Sequence, residues 1–561
     1  MPRVRPRAHH DRPVRRARHR PGPLDVGRPR GPGAVTTHHG WAGSPALRVA
    51  VQLPSTARAG VVLCPPLGQE GVIAYRTLRL LADRLEARGV ASVRYDPSGR
   101  GDSADDDDPD AQVRSARAAA ALLRRSGVEH VAFVGLASAA LVAAAAATDE
   151  DALVVWDAPA SGRAWLRRQR ALAAIAIGPD RVLDRIESLV GIDLGPEELT
   201  ALGALTYPSR AATTVAVVRP GGVAPRALGS AEVLEVPGTA ELLDGTSIDA
   251  RIPGVAVEAV ARWLDRWAPA AAVPTTPPAV AEVLDVDDRV SERVLQLGPH
   301  GLFAVETVSS AQDEDAPVVL LHNGGAEHRT GAVDYQVALA RTLARDGVRV
   351  VRVDRRGTGE SSAVRADEDA FLFAQEWVDD QHEVVRALRI PSERLAIVGM
   401  CAGAWIAGRA VAENPRLVVE ISPNDYRRTP AVPGTYAESA QAVADASRLR
   451  RALRAPYNRL VPALVRDAIA RRGALGGVVG HLGPLVEHGT DVVVVAAPED
   501  IERFERYGGR RAVRRWGARV SVVEVPDGDH ALFSLAMRRA VVDEVRSRVA
   551  TTFPARRTLV H

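Results

Sequence analysis

Lysine is missing from this 561-residue chain; all 72 of its basic residues are arginine. That bias reads as the codon usage of a GC-rich, actinobacterial-type genome, not as an arginine-specific partner. Cysteine is almost as scarce. Two residues, Cys64 and Cys401, exclude a disulfide framework and fit a reducing cytoplasm. No secretory leader is expected, because the N-terminal segment has no apolar run, and Arg, His and Pro soon follow Arg15-Arg16 where a twin-arginine signal would need one. The longest uncharged stretch, Val131 to Thr148, breaks at Gly135 between β-branched residues and an alanine-rich run. It reads as a buried strand, a tight turn and a buried helix, so no membrane span is expected.

A hydrophobic fraction of 46% with 25% charged residues is enough for sizeable cores, and the length calls for two or three domains. The formal charge is +3, but residues 1–44 hold ten Arg and two Asp, or +8, which leaves 3 − 8 = −5 for the rest. A mildly acidic body excludes a nucleic-acid-binding fold. The histidine pairs His9-His10 and His38-His39 lack Cys or carboxylate partners at ligand spacing, so no metal is expected.

Composition divides the chain. Residues 1–45, rich in Arg, Pro, Gly and His, lack the apolar residues for a core and read as a disordered tail. The stretch APAAAVPTTPPAV at 268–280 opens an extended linker, 268–287. It separates a first domain, 46–267, from a second, 288–555.

The two segments repeat one another. Val61–Cys64 matches Val318–Leu321, and LADRLEARGVASVRYDPSGRGDSA at 81–104 matches the segment 339–362. VEHVAFVGLASAA at 128–140 matches SERLAIVGMCAGA at 392–404, and Val155–Pro159 matches Val419–Pro423. Strands alternating with amphipathic helices predict, in each copy, a mostly parallel α/β sheet with helices on both faces. The turns at Gly99/Gly101 and Gly357/Gly359 lack the G-x-G-x-x-G spacing of a dinucleotide site, so no cofactor is expected. Arg100-Gly101-Asp102 spells an adhesion tripeptide, read as chance within its turn.

The chemistry gathers in the second copy. LAIVG at 395–399 is a buried strand, and Met400-Cys401-Ala402-Gly403 turns sharply into the helical sequence AWIAGRAVAE. This G-x-C-x-G is the nucleophile-elbow pattern with cysteine in place of serine; small flanking residues let strand and helix pack closely. The Ala402 N–H then faces a substrate oxyanion. The apolar strand beginning at Asp491 leads into Pro498-Glu499-Asp500, where Asp500, with Glu499 as fallback, is the candidate acid. The strand Val520–Val525 leads into Gly528-Asp529-His530, which offers His530 as base. The order Cys, Asp, His is that of the α/β-hydrolase triad. Gly324 or Gly325, after the strand at 318–321, supplies the second oxyanion donor; Asn323, His328 and Arg329 contact substrate or brace that loop.

On these residues the second copy resembles bacterial α/β-hydrolases of the serine-aminopeptidase-like group, including tandem hydrolases found with exopolysaccharide and exosortase loci. That group carries an N-[AG]-G-x-x-H-R-x-G loop, matched by Asn323–Gly331, and G-L-C-S-G elbows similar to Gly399–Gly403. The resemblance implies two tandem α/β-hydrolase domains, each with a helical lid insertion (about 430–488 in the second), and hydrolase or acyl-transfer chemistry.

The first copy reads Gly135-Leu136-Ala137-Ser138-Ala139, with alanine where Cys401 stands and no histidine between His130 and His300. Where that group places its closing histidine, this copy has Thr246 and Ser247, so the domain is expected to be inactive. The expected function is a cysteine-dependent hydrolase of an ester, thioester or lactone on a small-molecule acyl substrate. An acyltransferase using the same residues, or a non-catalytic binding scaffold, is the alternative. The sequence leaves substrate identity and oligomeric state open.

Overall fold

Runs of Val, Leu, Ile and Ala build two sheets that the chain completes one after the other. The computed structural model describes residues 37–554 apart from 180, 209–212, 230, 245–249, 311–312, 314, 326, 363–371, 428 and 431–476. The first sheet contains β1 (Thr37–Ala42), β2 (Leu47–Gln52), β3 (Ala59–Cys64), β4 (Val90–Tyr95), β5 (Val131–Leu136), β6 (Ala152–Trp156), β7 (Thr214–Val218) and β8 (Glu232–Glu235). Their order is β1-β2-β4-β3-β5-β6-β7-β8, antiparallel at β1, β2 and β4 and parallel beyond. The second sheet contains β9 (Val283–Asp285), β10 (Val290–Leu297), β11 (Leu302–Ser309), β12 (Val318–His322), β13 (Arg349–Val353), β14 (Leu395–Met400), β15 (Leu417–Ile421), β16 (Asp491–Ala496) and β17 (Val520–Glu524). Its order, β9-β10-β11-β13-β12-β14-β15-β16-β17, repeats the first with β9 added at the edge.

Each sheet separates two apolar cores, because its strands bury both faces and helices cover each side. The uncharged run from Val131 becomes β5, a turn, and the helix Ala139–Ala146. No helix among the described residues is long and apolar enough to cross a membrane.

The register corrects two sequence matches by one residue. Leu63 pairs with Arg94 and Val134, and Leu321 pairs with Arg352 and Val398, so Leu63 corresponds to Leu321. Likewise Leu136 pairs with Trp156 while Met400 pairs with Ile421, so Trp156 corresponds to Ile421. Uniform apolar strands carry no internal marker of register, and this is why sequence matching slipped.

The expected tail ends too late. Residues 37–42 form β1, and Trp41 is buried with Leu284, Phe303 and Val305 of the second half. The linker is extended but not free: Val273-Pro274 pairs with Thr56-Ala57, Trp41 and Ala281 exchange two backbone hydrogen bonds of 2.8 Å, and β9 joins the second sheet. The first domain's insertion between β6 and β7 mixes the helices Gly162–Ala176 and Pro196–Ala204 with short antiparallel strands. In the second domain most of the expected lid, and in the first Thr246 and Ser247, lie outside the described residues. The helix after Cys401 spans only Ala402–Ala407, and i to i+3 turns at Arg409 and Ala410 replace the expected continuation.

Candidate active site

β14 ends at Met400, and Cys401 turns the chain with φ 52° and ψ −111°, a conformation side chains rarely adopt. Two glycines permit it. A Cβ at Gly399 would overlap the Gly403 carbonyl, and one at Gly403 would lie 2.6 Å from the His322 oxygen. The Cys401 N–H donates to the Ile421 carbonyl at 2.9 Å, which ties the elbow to the neighbouring strand. The thiol is therefore held at the carboxyl end of a central parallel strand, where such sheets bind ligands.

The predicted partners converge on it. Asp500 lies in the first turn of the helix Pro498–Arg506 with its carboxylate fully buried, and both oxygens lie 2.9 Å from His530 Nδ1. Glu499, the fallback, is exposed. Burial opposes a charge on His530, but hydrogen bonds to Asp500 and Cys401, and the charges of both, outweigh it and push the ring up to about 10. Asp529 shapes the histidine loop by accepting from the N–H groups of Ala531, Phe533 and Ser534 at 3.1, 2.9 and 2.7 Å. In the sequence it stands only as one letter of a Gly-Asp-His motif.

Because the folded value of His530 exceeds its ordinary 6.5, its stabilisation is complete below about pH 6.5 and is lost as pH rises through about 10. Thermal melts of wild type and His530→Gln between pH 6 and 10.5 should show a stability gap that closes on the alkaline side. A gap independent of pH would contradict this coupling.

Gly324 lies against the nucleophile candidate: an added Cβ would sit 3.2 Å from Cys401 Cβ. The Arg355 guanidinium, lying over Trp377, donates to the carbonyls of Asn323, Gly324 and Gly325 at 2.6, 3.3 and 3.0 Å. The three residues offered for substrate contact sort differently. Asn323 donates from Nδ2 to the His328 carbonyl, and Arg329 is buried between Asp102 and Asp354. Both brace the loop. His328 stacks on Tyr75 of the first domain at 4.4 Å and lines an interdomain cavity of about 120 Å³.

One functional candidate went unread. Glu327 is buried, its Oε2 has no hydrogen-bond partner among the described residues, and burial pushes its carboxyl up to about 7 against the opposing charges of Arg355 and His530. Among the described residues no cluster of His, Cys, Asp or Glu has the geometry of a metal site.

The first domain repeats the elbow with different residues. Ala137, at φ 51°, stands where Cys401 does, and its N–H donates to the Trp156 carbonyl at 2.8 Å. The counterpart of the Ala402 N–H, that of Ser138, donates to Glu70 Oε2 at 3.1 Å. The Leu67 N–H, counterpart of Gly325, donates to Ser138 Oγ at 2.8 Å. Trp165 and Gln169 hold the other Glu70 oxygen at 3.2 and 3.3 Å. The positions that would receive an oxyanion are filled by the domain's own side chains. Cys64 is buried, which pushes its thiol up to about 12, as suits a structural cysteine.

Residues 318–544 match the model of the alpha/beta hydrolase family. That span holds Cys401, Asp500, His530 and the 323–331 loop. No curated protein matches the chain. Among solved structures, a thioesterase domain from the curacin biosynthetic pathway is 17% identical, covering 47% of this chain and 99% of its own, with a TM-score of 0.28. An esterase from Pyrococcus furiosus is 16% identical, covering 46% of this chain and 91% of its own, with a TM-score of 0.30. An esterase from Exiguobacterium antarcticum is 15% identical, covering 46% and 98%, with a TM-score of 0.27.

Proposed function

We propose that the chain is a cysteine-dependent hydrolase of an ester, thioester or lactone, acting through an acyl-enzyme at Cys401. The observation that carries this reading is the position of His530, bonded to the Asp500 carboxylate and close enough to Cys401 for the two to couple. His530 holds the proton of the Cys401 thiol, and the thiolate attacks the substrate carbonyl carbon. The N–H groups of Ala402 and of Gly324 or Gly325 hold the oxyanion. The bond to the leaving group breaks as His530 returns the proton to it. Water, deprotonated by His530, then attacks the thioester, releases the acid and restores the thiol.

The same residues serve an acyltransferase if a second nucleophile replaces water at deacylation. In this reading the second domain, about 288–555, works alone at the chemistry, without metal or cofactor, in a reducing compartment that keeps Cys401 free. The first domain is a silent copy, since Ala137 offers no nucleophile and Glu70 holds the oxyanion position.

A thiol-directed acyl probe tests the proposal on the full chain. Wild type should label at Cys401, Cys401→Ala should not label, and His530→Ala should label at least a hundredfold more slowly, in line with a general base. If all three label alike, or none does, the mechanism falls and a binding scaffold takes its place. Adding a thiol acceptor during deacylation separates transfer from hydrolysis.

A further inference from the structure

The two domains meet through a reciprocal contact. Arg352 corresponds to Arg94 (352 − 94 = 258), and Glu360 to Asp102 (360 − 102 = 258). Arg94 of the first domain forks onto Glu360 of the second, Nη1 to Oε1 at 2.6 Å and Nη2 to Oε2 at 2.9 Å. Arg352 of the second domain bonds Asp102 of the first. Each domain thus offers the other the same arginine and the same acid, the arrangement of an isologous dimer written into one chain.

The symmetry is incomplete, and one of its breaks falls on Asp102 itself. Asp102 Oδ2 also lies 2.6 Å from Arg329 Nη2, whereas the position equivalent to Arg329 (329 − 258 = 71) is Gly71. The backbone differs at the same place. In the first domain the helix Gln69–Glu86 begins early, but in the second the helix starts only at Tyr335. The segment ahead of Tyr335 forms instead the loop that carries Gly324 and Gly325, with left-handed Val333 and Asp334 at φ 51° and 56°. A loop unwound from a helix and strained at two such residues needs an external brace. Arg329 provides it: its N–H and Nη1 donate to Asp354 at 2.7 and 2.8 Å, and its guanidinium lies over Phe303 at 4.6 Å. Asp102 adds a second carboxylate, and both partners are buried. From Arg329 the brace continues through the His328 carbonyl to Asn323, next to Gly324.

We infer that Asp102 of the silent domain is a positioning residue for the catalytic domain: through Arg329 it fixes the loop that presents Gly324 and Gly325 to the oxyanion. The first domain is therefore retained as an intramolecular brace. This rests on the proposed role of that loop, and the test separates the two.

The full chain is compared as wild type, Asp102→Asn and Arg94→Gln; the last breaks the mirror-image pair without touching Arg329. Hydrogen exchange is read at the amides of Glu327, Arg329 and Gly331, each hydrogen-bonded in the loop. In Asp102→Asn these should exchange at least tenfold faster while the β12 and β14 amides stay unchanged, and in Arg94→Gln they should keep the wild-type rate. On a substrate ester, Asp102→Asn should lower kcat ten- to a hundredfold with KM within about twofold. Alkylation of Cys401 by iodoacetamide, which needs no oxyanion hole, should proceed at the wild-type rate. Loop exchange at the wild-type rate in Asp102→Asn, or equal loosening by both substitutions, overturns the positioning role. Loosened loop amides in a chain whose wild type shows no Cys401-dependent turnover uphold the brace and refute the proposed function instead.

Discussion

Asp500→Asn should lower kcat about a thousandfold or more and leave KM within a few-fold. Both carboxylate oxygens lie at the same 2.9 Å from His530 Nδ1, so the group that orients the ring is symmetrical and acceptor-only on that side. An asparagine keeps the shape but turns an N–H₂ or a neutral oxygen toward the ring. The carboxylate that favours the imidazolium is gone, and the tautomer that leaves Nε2 able to accept the thiol proton is no longer selected; in hydrolytic triads the equivalent change costs about 10⁴ in kcat. No neighbour substitutes, because Glu499 is exposed and Arg503, 2.6 Å from Asp500, carries the wrong sign. Steady-state kinetics on the ester that acylates Cys401 provide the measurement. A loss of only a few-fold would show that Asp500 merely packs beneath the histidine.

The second large effect is structural. Gly399→Ala should cost about 3 kcal/mol or more, since the added methyl has no route out of the Gly403 carbonyl without moving β14 or the elbow. For a domain of this size that is a fall in Tm of roughly 6–12 °C. Gly254→Ala, at a helix start where an added Cβ meets nothing within 4 Å, is the control and should leave Tm unchanged or slightly higher. A Gly399→Ala chain that melts with wild type would mean the elbow can relax, and that the strain at Cys401 is not imposed by close packing.

Much of this was legible in the sequence because it is local. Alternation of apolar strands and helices pointed to a parallel sheet in each half, and the repeat marked the two halves as alike. The Gly-x-Cys-x-Gly spacing marked a strained turn because only small residues fit two positions away from it. The choice of Asp500 over Glu499 was weaker, as adjacent acids at a helix start differ only in which one faces the core. What escaped the reading is long-range. Asp102 sits in a tripeptide read as chance, yet its partners Arg329 and Arg352 lie more than two hundred residues away, and nothing near it marks it as an anchor. Glu70 gives no hint that its carboxylate reaches Ser138. β1 reads as tail because it continues a segment rich in Arg, Pro, Gly and His with few large apolar residues; it is held by Trp41 packing against residues of the other domain.

The connection between the domains decides which copy each half pairs with. It is fastened to the first domain by hydrogen bonds from Thr275 to Ser55 and from Thr276 to Ser126, and again by Ala281 to Trp41, before β9 enters the second sheet. Little free chain is left between the last fastening and the next domain. The effective concentration of one half for the other is therefore high and the alternative geometries are few. An exchange of halves between two chains would have to strip those fastenings first. The face on which each half offers the other an arginine and an acid is thus satisfied within each molecule.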